Sequence, residues 1–89
     1  MEDLKKLSEK LRGLLETMFS GSSVELEDPS PKVRIGATIV WNEFIGKDQL
    51  ERQNMVWEVI DRNFEPSEAR HISLIMTLTP DELAAIQES

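Results

Sequence analysis

The sequence predicts an α+β fold of two layers, in which helices cover one face of a three-stranded mixed sheet. Three short segments alternate apolar and polar residues, which is the period of a strand. Two longer segments repeat apolar residues every three or four positions, which is the period of a helix. With a short C-terminal helix added, the order along the 89 residues is α-β-β-α-β-α.

The first helix is predicted from about Asp3 to about Phe19. Its apolar residues recur at spacings of three and four, and charged residues occupy the other side. The apolar positions are Leu4, Leu7, Leu11, Leu14 or Leu15, and Met18. Gly21 follows the last of them, and a glycine at this place is a common helix stop signal.

Two strands are predicted next, over residues 24–27 and 33–41. Pro29 and Pro31 lack the backbone N–H that a sheet needs, so Asp28-Pro29-Ser30-Pro31 is predicted to be a loop. The face of the second strand that is expected to be buried consists of Val33, Ile35, Ala37, Ile39 and Trp41. Because the connecting loop is short, the two strands are expected to pair antiparallel.

A sharp turn is predicted at Phe44-Ile45-Gly46-Lys47, because glycine adopts backbone angles that other residues resist. A central helix is predicted over residues 48–64. Its apolar side is expected to comprise Leu50, Trp57, Ile60 and Phe64, widened by Met55, Val56 and Val59. On its surface, Asp48 with Arg52 and Glu58 with Arg62 are expected to form ion pairs four residues apart.

The segment 65–68 is predicted to be a break, and residues 71–78 a third strand. The sequence places Ile72, Leu74, Met76 and Leu78 on one face of this strand. A last helix is predicted over residues 81–87. Thr79 is its expected N-cap, with Glu82 completing a capping box. If the second and third strands are parallel neighbours, the helical crossover between them should be right-handed.

Composition limits the class of protein. The length indicates one domain over residues 1–89, and the formal net charge of −7 disfavours binding to nucleic acid and anionic membranes. With no cysteine, disulfides, thiolate-bound metals and thiol nucleophiles are excluded. The sequence shows neither a membrane span nor a secretory signal. A cytoplasmic protein without membrane contact, monomeric or weakly dimeric, is therefore expected.

The sequence resembles the BolA-like family over about residues 4–85. The specific matches are the turn Phe44-Ile45-Gly46-Lys47 with the following helix, the segment Arg70-His71-Ile72-Ser73-Leu74, and the closing segment 77–83. The resemblance implies a fold like the type II KH domain. It also implies one of two roles: partnership with a monothiol glutaredoxin around a shared [2Fe–2S] cluster, or transcriptional regulation through nucleic-acid binding.

For the first role, the resemblance implies that His71 is a cluster ligand shared with the partner. A second ligand, cysteine or histidine, usually lies in the loop between the first two strands, and neither occurs in residues 28–32. Gln53 stands where the family often has a histidine. A single imidazole cannot chelate iron tightly, so the partner and its glutathione would supply the other ligands. The alternative is a strand-end histidine with a structural hydrogen bond.

For the second role, a small basic edge beside the turn is the candidate contact surface for nucleic acid or a partner. Its residues are Lys32, Arg34, Gly46, Lys47 and Arg52. A helix start with backbone donors can hold a phosphate. The turn has one glycine where KH domains use a GXXG loop, and Glu43, Asp48 and Glu51 dilute the charge. The alternative is an ordinary solvated face.

The remaining candidates are better explained by packing than by chemistry. Trp41 and Trp57 are interpreted as core residues in preference to a base-stacking platform, and Met55 and Met76 as core fillers. Glu25, Glu27 and Asp28 form no recognisable catalytic or metal constellation. The sequence therefore predicts a protein that is not an enzyme and binds no cofactor alone, with nucleic-acid regulation as the alternative function.

Overall fold

The computed structural model of the chain describes residues 4–26 and 34–88. The elements are α1 (Leu4–Met18), β1 (Ser23–Leu26), β2 (Ile35–Val40), a 3-10 helix (Asn42–Phe44), α2 (Gln49–Asn63), α3 (Pro66–Ala69), β3 (Ile72–Leu78) and α4 (Pro80–Glu88). The predicted order is confirmed, with two short helices added. The predicted loop 28–31, together with Asp3, Glu27, Lys32 and Val33, lies outside the described residues.

The three strands form one sheet in the order β1-β2-β3. β1 pairs antiparallel with β2, so that Val24 lies opposite Ile39. β2 and β3 are parallel neighbours, with α2 in the connection between them. Both pairings agree with the expectations from loop length and from the central crossover.

One face of the sheet carries the hydrophobic core beneath α1 and α2. The buried residues of this core include Leu7, Leu11 and Leu15 of α1, Ile35, Ala37 and Ile39 of β2, and Val56 and Ile60 of α2. α4 does not belong to this helical layer. Its residues Leu83 and Gln87 line a cavity of about 260 Å³ together with Thr38 and Val40 of β2. Because side chains alternate along a strand, Thr38 and Val40 belong to the face that α1 and α2 leave open.

A bulge near the start of β3 changes which of its residues face the core. Ile35 pairs with Ile72, whereas the next residue, Gly36, pairs with Leu74. Ser73 is thus an extra residue in the register, although its hydroxyl donates to the carbonyl of Ile35 on β2 at 3.2 Å. A β-bulge of this kind shifts the alternation of side chains by one position in the bulged strand.

The consequence is that the predicted faces of β3 are wrong beyond the bulge. Ile75 and Thr77, expected to point away, are 1% and 2% exposed, whereas Leu74 and Met76 are 57% and 41% exposed. Met76 is therefore not a core filler. Ile72 is buried as expected because it precedes the extra residue.

α2 is continuous as predicted, but its buried side is rotated. Val56 and Ile60 are buried, and Arg52 joins them at 5% exposure, whereas Leu50 is 71% exposed. The expectation that Leu50 packs in the core is wrong. Trp57 is half-buried against the core cluster, in keeping with its predicted packing role.

Of the two predicted surface ion pairs on α2, one is present. Nη2 of Arg62 lies 2.8 Å from Oε1 of Glu58. The prediction of a pair between Asp48 and Arg52 is wrong. The Asp48 carboxylate instead accepts a hydrogen bond from the backbone N–H of Glu51 at 2.8 Å. Asp48 thereby caps the helix, which satisfies one of the free N–H groups of its first turn.

The N-terminal ends of helices α3 and α4 are each fixed by a capping box. The predicted break at residues 65–68 contains the one-turn helix α3, in which the side chains and backbones of Glu65 and Glu68 bond reciprocally. At α4, Thr79 N–H donates to Oε1 of Glu82 at 2.8 Å and Glu82 N–H donates to Oγ1 of Thr79 at 3.2 Å, as predicted. Within residues 4–26 and 34–88, none of the helices has the length and apolar character to cross a membrane.

Candidate functional site

The predicted turn at Gly46 forms and is anchored by a buried aromatic ring. Gly46 has a φ of +85°, in the left-handed region that favours glycine. The N–H of Lys47 donates to the carbonyl of Phe44 at 3.0 Å and closes the turn. Phe44 is fully buried, and its ring packs edge-on against Trp41 with centroids 5.3 Å apart. The core therefore fixes where α2 begins.

Arg52 lies inside the molecule and links three separate parts of the chain. Its Nε donates to the carbonyl of Lys47 at 2.9 Å, and its Nη1 donates to the carbonyl of Thr77 at 3.2 Å. Nη1 also donates to Oε1 of Glu82 at 2.7 Å. The guanidinium lies 5.6 Å from the ring centroid of Phe44, within cation–π range.

These contacts give Arg52 a structural role that the sequence did not reveal. A charged side chain is expected on the surface, and it is tolerated in the interior only when oxygen acceptors compensate it. Three oxygens that are distant in sequence provide that compensation here. The proposed contact with nucleic acid or a partner stays a prediction for Arg34, Gly46 and Lys47.

The cations predicted to form one basic edge lie at two ends of the sheet. Arg34 immediately precedes β2, whereas Gly46 and Lys47 follow its far end after the 3-10 helix. Six residues of strand extend for about 17 Å from first to last Cα. The structure therefore does not bring Arg34 together with Lys47. Lys32 lies outside the described residues.

The surface around the turn is apolar and acidic. Ile45 and Leu50 are 62% and 71% exposed. Glu43, Asp48 and Glu51 are all exposed beside them, whereas Lys47 is only half-exposed. Phosphate groups would meet negative charge at this surface, which weakens the case for a nucleic-acid site.

His71 lies at the opposite end of the sheet, immediately before β3. Its N–H donates to the carbonyl of Glu68 at 3.1 Å, and its carbonyl accepts from the N–H of Ile35 at 2.7 Å. The residue is half-buried. The bond to Ile35 places Arg34 next to His71, and Arg70 precedes it in the chain. Both arginines are exposed.

His71 does not belong to a metal site formed by the described residues alone. It is the single histidine of the chain, and cysteine is absent. Among the described residues, no group of three or more histidine, aspartate or glutamate side chains could hold a metal ion. The described part of the chain therefore offers one imidazole, and any cluster bound there requires further ligands from a partner.

Gln49 and Gln53 have a structural role that the sequence did not predict: both side chains bond backbone carbonyls of β3. Nε2 of Gln53 donates to the carbonyl of Ile75 at 2.7 Å, and Nε2 of Gln49 donates to the carbonyl of Thr77 at 3.2 Å. β3 is an edge strand of the sheet, so these two carbonyls point away from β2. The sequence signal for this role was the spacing of the two amide side chains, which lie four residues apart next to the apolar side of the predicted central helix.

Both amides are held in orientation by a second hydrogen bond. Oγ1 of Thr77 donates to Oε1 of Gln49 at 2.8 Å, and Nε1 of Trp57 donates to Oε1 of Gln53 at 3.1 Å. Each amide therefore presents its NH₂ group to β3. Through these bonds, α2 occupies two backbone carbonyls of β3 that an added strand would need as hydrogen-bond acceptors.

Two carboxyl groups have displaced pKa values, and both are explained by the fold. The hydrogen bond from Arg52, followed by the backbone of Thr79, lowers the pKa of Glu82 below its ordinary value. The backbone N–H of Glu65, followed by the side chain of Lys10, lowers the pKa of Glu68. Hydrogen bonds to the charged form cause both shifts.

Comparison with known proteins supports the fold. No model of a protein family matches the sequence, and no curated protein matches it. Among solved structures, BolA1 from Arabidopsis thaliana has a TM-score of 0.69 and 20% identity, covering 92% of this chain and 98% of its own. The BolA domain of SufE1 from Arabidopsis thaliana has a TM-score of 0.65 and 21% identity, covering 84% and 93%. A Bol-like protein from Babesia bovis has a TM-score of 0.63 and 27% identity, covering 90% and 92%. These matches confirm the predicted architecture.

Proposed function

We propose that this chain, whose fold is BolA-like, is a non-enzymatic adaptor that presents His71 to a partner of the monothiol glutaredoxin type. The observation that carries the proposal is the placement of His71. Its backbone is held by Glu68 and Ile35 at one end of the sheet, while the residue itself is half-buried. The backbone bonds hold this end of β3 in place, and the proposal is that the partly exposed residue meets the partner there.

The chemistry of the imidazole suits this role. Neutral imidazole nitrogen is a good ligand for iron, and histidine replaces thiolate at one iron of some [2Fe–2S] centres. The partner and its glutathione would supply the remaining ligands. When bound, the cluster would supply the iron or redox signal, whereas this chain contributes one ligand and the surface around it.

The adaptor role is also supported by how the displaced carboxyls are used. A strongly displaced pKa in a cleft suggests catalysis, but structural ion pairs displace pKa values as well. Glu82 bonds Arg52 and Thr79, and Glu68 bonds Glu65 and Lys10. Both groups serve helix caps and ion pairs. SufE1 contains a BolA domain among the similar structures, so this fold also occurs as a part of another protein.

The proposal is tested by mixing the chain with a cluster-loaded monothiol glutaredoxin. Visible absorption and circular dichroism should change when the chain is added, and His71→Ala should abolish the change. Gln87→Ala is the control, because Gln87 is exposed on α4 and lies beside Val40, at the end of β2 away from His71. A spectrum that His71→Ala leaves unaltered, or the absence of any spectral change with the parent chain, would refute the ligand role.

The alternative is a nucleic-acid-binding regulator that uses the turn at Gly46 and Lys47. It predicts binding that weakens with salt and with Lys47→Ala. The surroundings of the turn are unfavourable, because Arg52 is internal and Arg34 is at the other end of the strand. We therefore rank the adaptor proposal above it. Undetectable binding at low salt would exclude the alternative.

A further inference from the structure

A stripe along α2, next to the side that packs on the core, carries the apolar residues Leu50 and Trp57 and has an acidic border. Residues i, i+4, i+7 and i+11 of a helix lie on one side. On α2 these positions are Leu50, Asn54, Trp57 and Asp61. Leu50, Asn54 and Asp61 are exposed and Trp57 is half-buried, in contrast to Val56 and Ile60 on the core side. The stripe is therefore a surface feature.

Trp57 is the most structured part of this stripe. Its indole N–H donates to Oε1 of Gln53, which fixes the plane of the ring. Beside it is a shallow depression of about 600 Å³, lined by Asn54, Trp57, Glu58, Asp61 and Arg62. A rigid aromatic ring at the edge of a depression is the kind of anchor that contributes most to protein–protein contacts.

Further apolar surface continues the stripe toward the start of the helix. Leu50 and Ile45 have the highest exposed fractions among the large hydrophobic residues described as exposed. From Leu50 to Asp61 the helix rises by about 17 Å, or three turns. That length matches one side of a short partner helix.

The border of the stripe is negatively charged. Asp48, Glu51, Glu58 and Asp61 are all exposed along α2. The nearby cation Arg62, with its Nη2 at 2.8 Å from Glu58, offsets that carboxylate, so the excess negative charge comes from Asp48, Glu51 and Asp61. The charge therefore selects for a positive partner, and the net charge of −7 acts in the same direction at long range.

We propose that this surface docks a basic, amphipathic helical segment of a protein partner. We call it the acidic face of α2, made of Leu50, Glu51, Asn54, Trp57, Glu58 and Asp61. Apolar side chains of the partner contact Leu50 and Trp57, and its lysines or arginines contact the carboxylates. A second copy of this chain docked through the same face would place like charges opposite each other, and phosphates would be repelled. The proposal goes beyond the adaptor role, because it assigns a second contact surface and a partner segment that do not involve His71.

The test uses a helical peptide of about 15 leucine and lysine residues in an amphipathic pattern, long enough for the three turns. Titration followed by ¹⁵N chemical shifts should perturb residues 45–62 and the indole N–H of Trp57. The amides of β1 serve as an internal control, because β1 is at the opposite edge of the sheet from β3, the strand that α2 bonds. Isothermal titration gives the dissociation constant.

Two triple variants with equal changes of net charge separate a specific face from general attraction. Glu51→Lys, Glu58→Lys and Asp61→Lys together should raise the dissociation constant by about tenfold or more, because opposite charges become like charges. Glu9→Lys, Glu16→Lys and Glu25→Lys, all exposed and on α1 or β1, should raise it by less than about threefold through long-range attraction alone. Circular dichroism verifies that each variant folds.

Leu50→Ala tests the apolar part of the surface. Since the side chain is exposed, the fold should be unaffected, while the dissociation constant should rise by about threefold or more. Equal weakening by the two triple variants, perturbations that map away from α2, or no binding at about 1 mM peptide, a concentration at which weak contacts are still detected, would each overturn the proposal. Concentration-dependent shifts on this face without peptide would overturn it in favour of self-association.

Discussion

Nη1 of Arg52 donates a hydrogen bond of 2.7 Å to Oε1 of Glu82, and this bond joins the middle helix to the start of the last one. The same nitrogen also bonds the carbonyl of Thr77 at the end of β3. Arg52 is 5% exposed. A buried cation in this position connects α2, β3 and α4 through one side chain, and its removal should affect all three.

Arg52→Ala should lower the free energy of unfolding by about 2 to 3 kcal/mol, because the carbonyls of Lys47 and Thr77 lose a charged donor. Arg52→Lys should recover only part of this loss, since an ammonium group cannot reach both carbonyls in the geometry of the planar fork. Urea denaturation measures both. The control is Arg62→Ala, which removes an exposed pair and should cost less than about 0.5 kcal/mol. Equal effects of Arg52→Ala and Arg62→Ala would contradict the internal role.

The stability of the chain should fall in acid partly through Glu82. The hydrogen bond from Arg52, and after it the backbone of Thr79, lowers the pKa of this carboxyl below its ordinary value of 4.5. A lowered pKa in the folded state means that the contribution is complete above about pH 4.5 and is lost as the pH falls through the folded value. Glu82→Gln should therefore be less stable than the parent at pH 7, with the difference shrinking below pH 4.5. Thermal unfolding between pH 7 and pH 3 follows this, and a difference that grows in acid would be inconsistent with it.

Replacing Gln49 and Gln53 together by alanine should promote self-association. The carbonyl of Ile75 would lose its donor on the free edge, and that of Thr77 would keep only Arg52. Exposed edge groups are templates for pairing with another strand. Sedimentation velocity should show a larger species than the parent at the same concentration. Gln87→Ala, an exposed amide on α4, is the control, and identical sedimentation of parent and double variant would count against a protective role.

Two glycine substitutions should have opposite effects. Gly46→Ala places a Cβ at a φ of +85° and should cost about 1 to 2 kcal/mol. Gly13→Ala lies within α1, where an added Cβ meets no atom within 4 Å, and should stabilise by about 0.5 to 1 kcal/mol. Chemical denaturation measures both changes in the free energy of unfolding. A neutral Gly46→Ala would mean that the turn can adopt another conformation.

The parts of the fold that local pattern determines were predictable. The period of α1, the alternation of β2, and the capping box of Thr79 and Glu82 each depend on residues close in sequence. Their bounds agree with the structure to within one or two residues, apart from residues outside the described part. Local signals of this kind do not require knowledge of the neighbouring elements.

The wrong predictions concern side chains whose burial is decided by contacts between elements distant in sequence. Ser73 gives no sequence signal of a bulge, yet the extra residue reverses which side of β3 faces the core. Hydrophobicity favoured Leu50 over Arg52 as a buried residue, because acceptors from Lys47 and Thr77 are invisible in the helix sequence. The separation of Arg34 from Lys47, in contrast, followed from the predicted strand 33–41 itself, because an extended strand keeps its first residues far from a turn beyond its last.

The bond between Arg52 and Glu82 also determines how the C-terminal end should open. The first turn of α4 is tied to the interior through Glu82 and Thr79, whereas Ile86 is 51% exposed near its end. The amide of Leu83, bonded to the carbonyl of Thr79, should exchange with deuterium only when the whole domain unfolds. The amides beyond Ile86 should exchange by local fraying. We therefore expect α4 to open as two segments of unequal lifetime, with the boundary between Leu83 and Ile86.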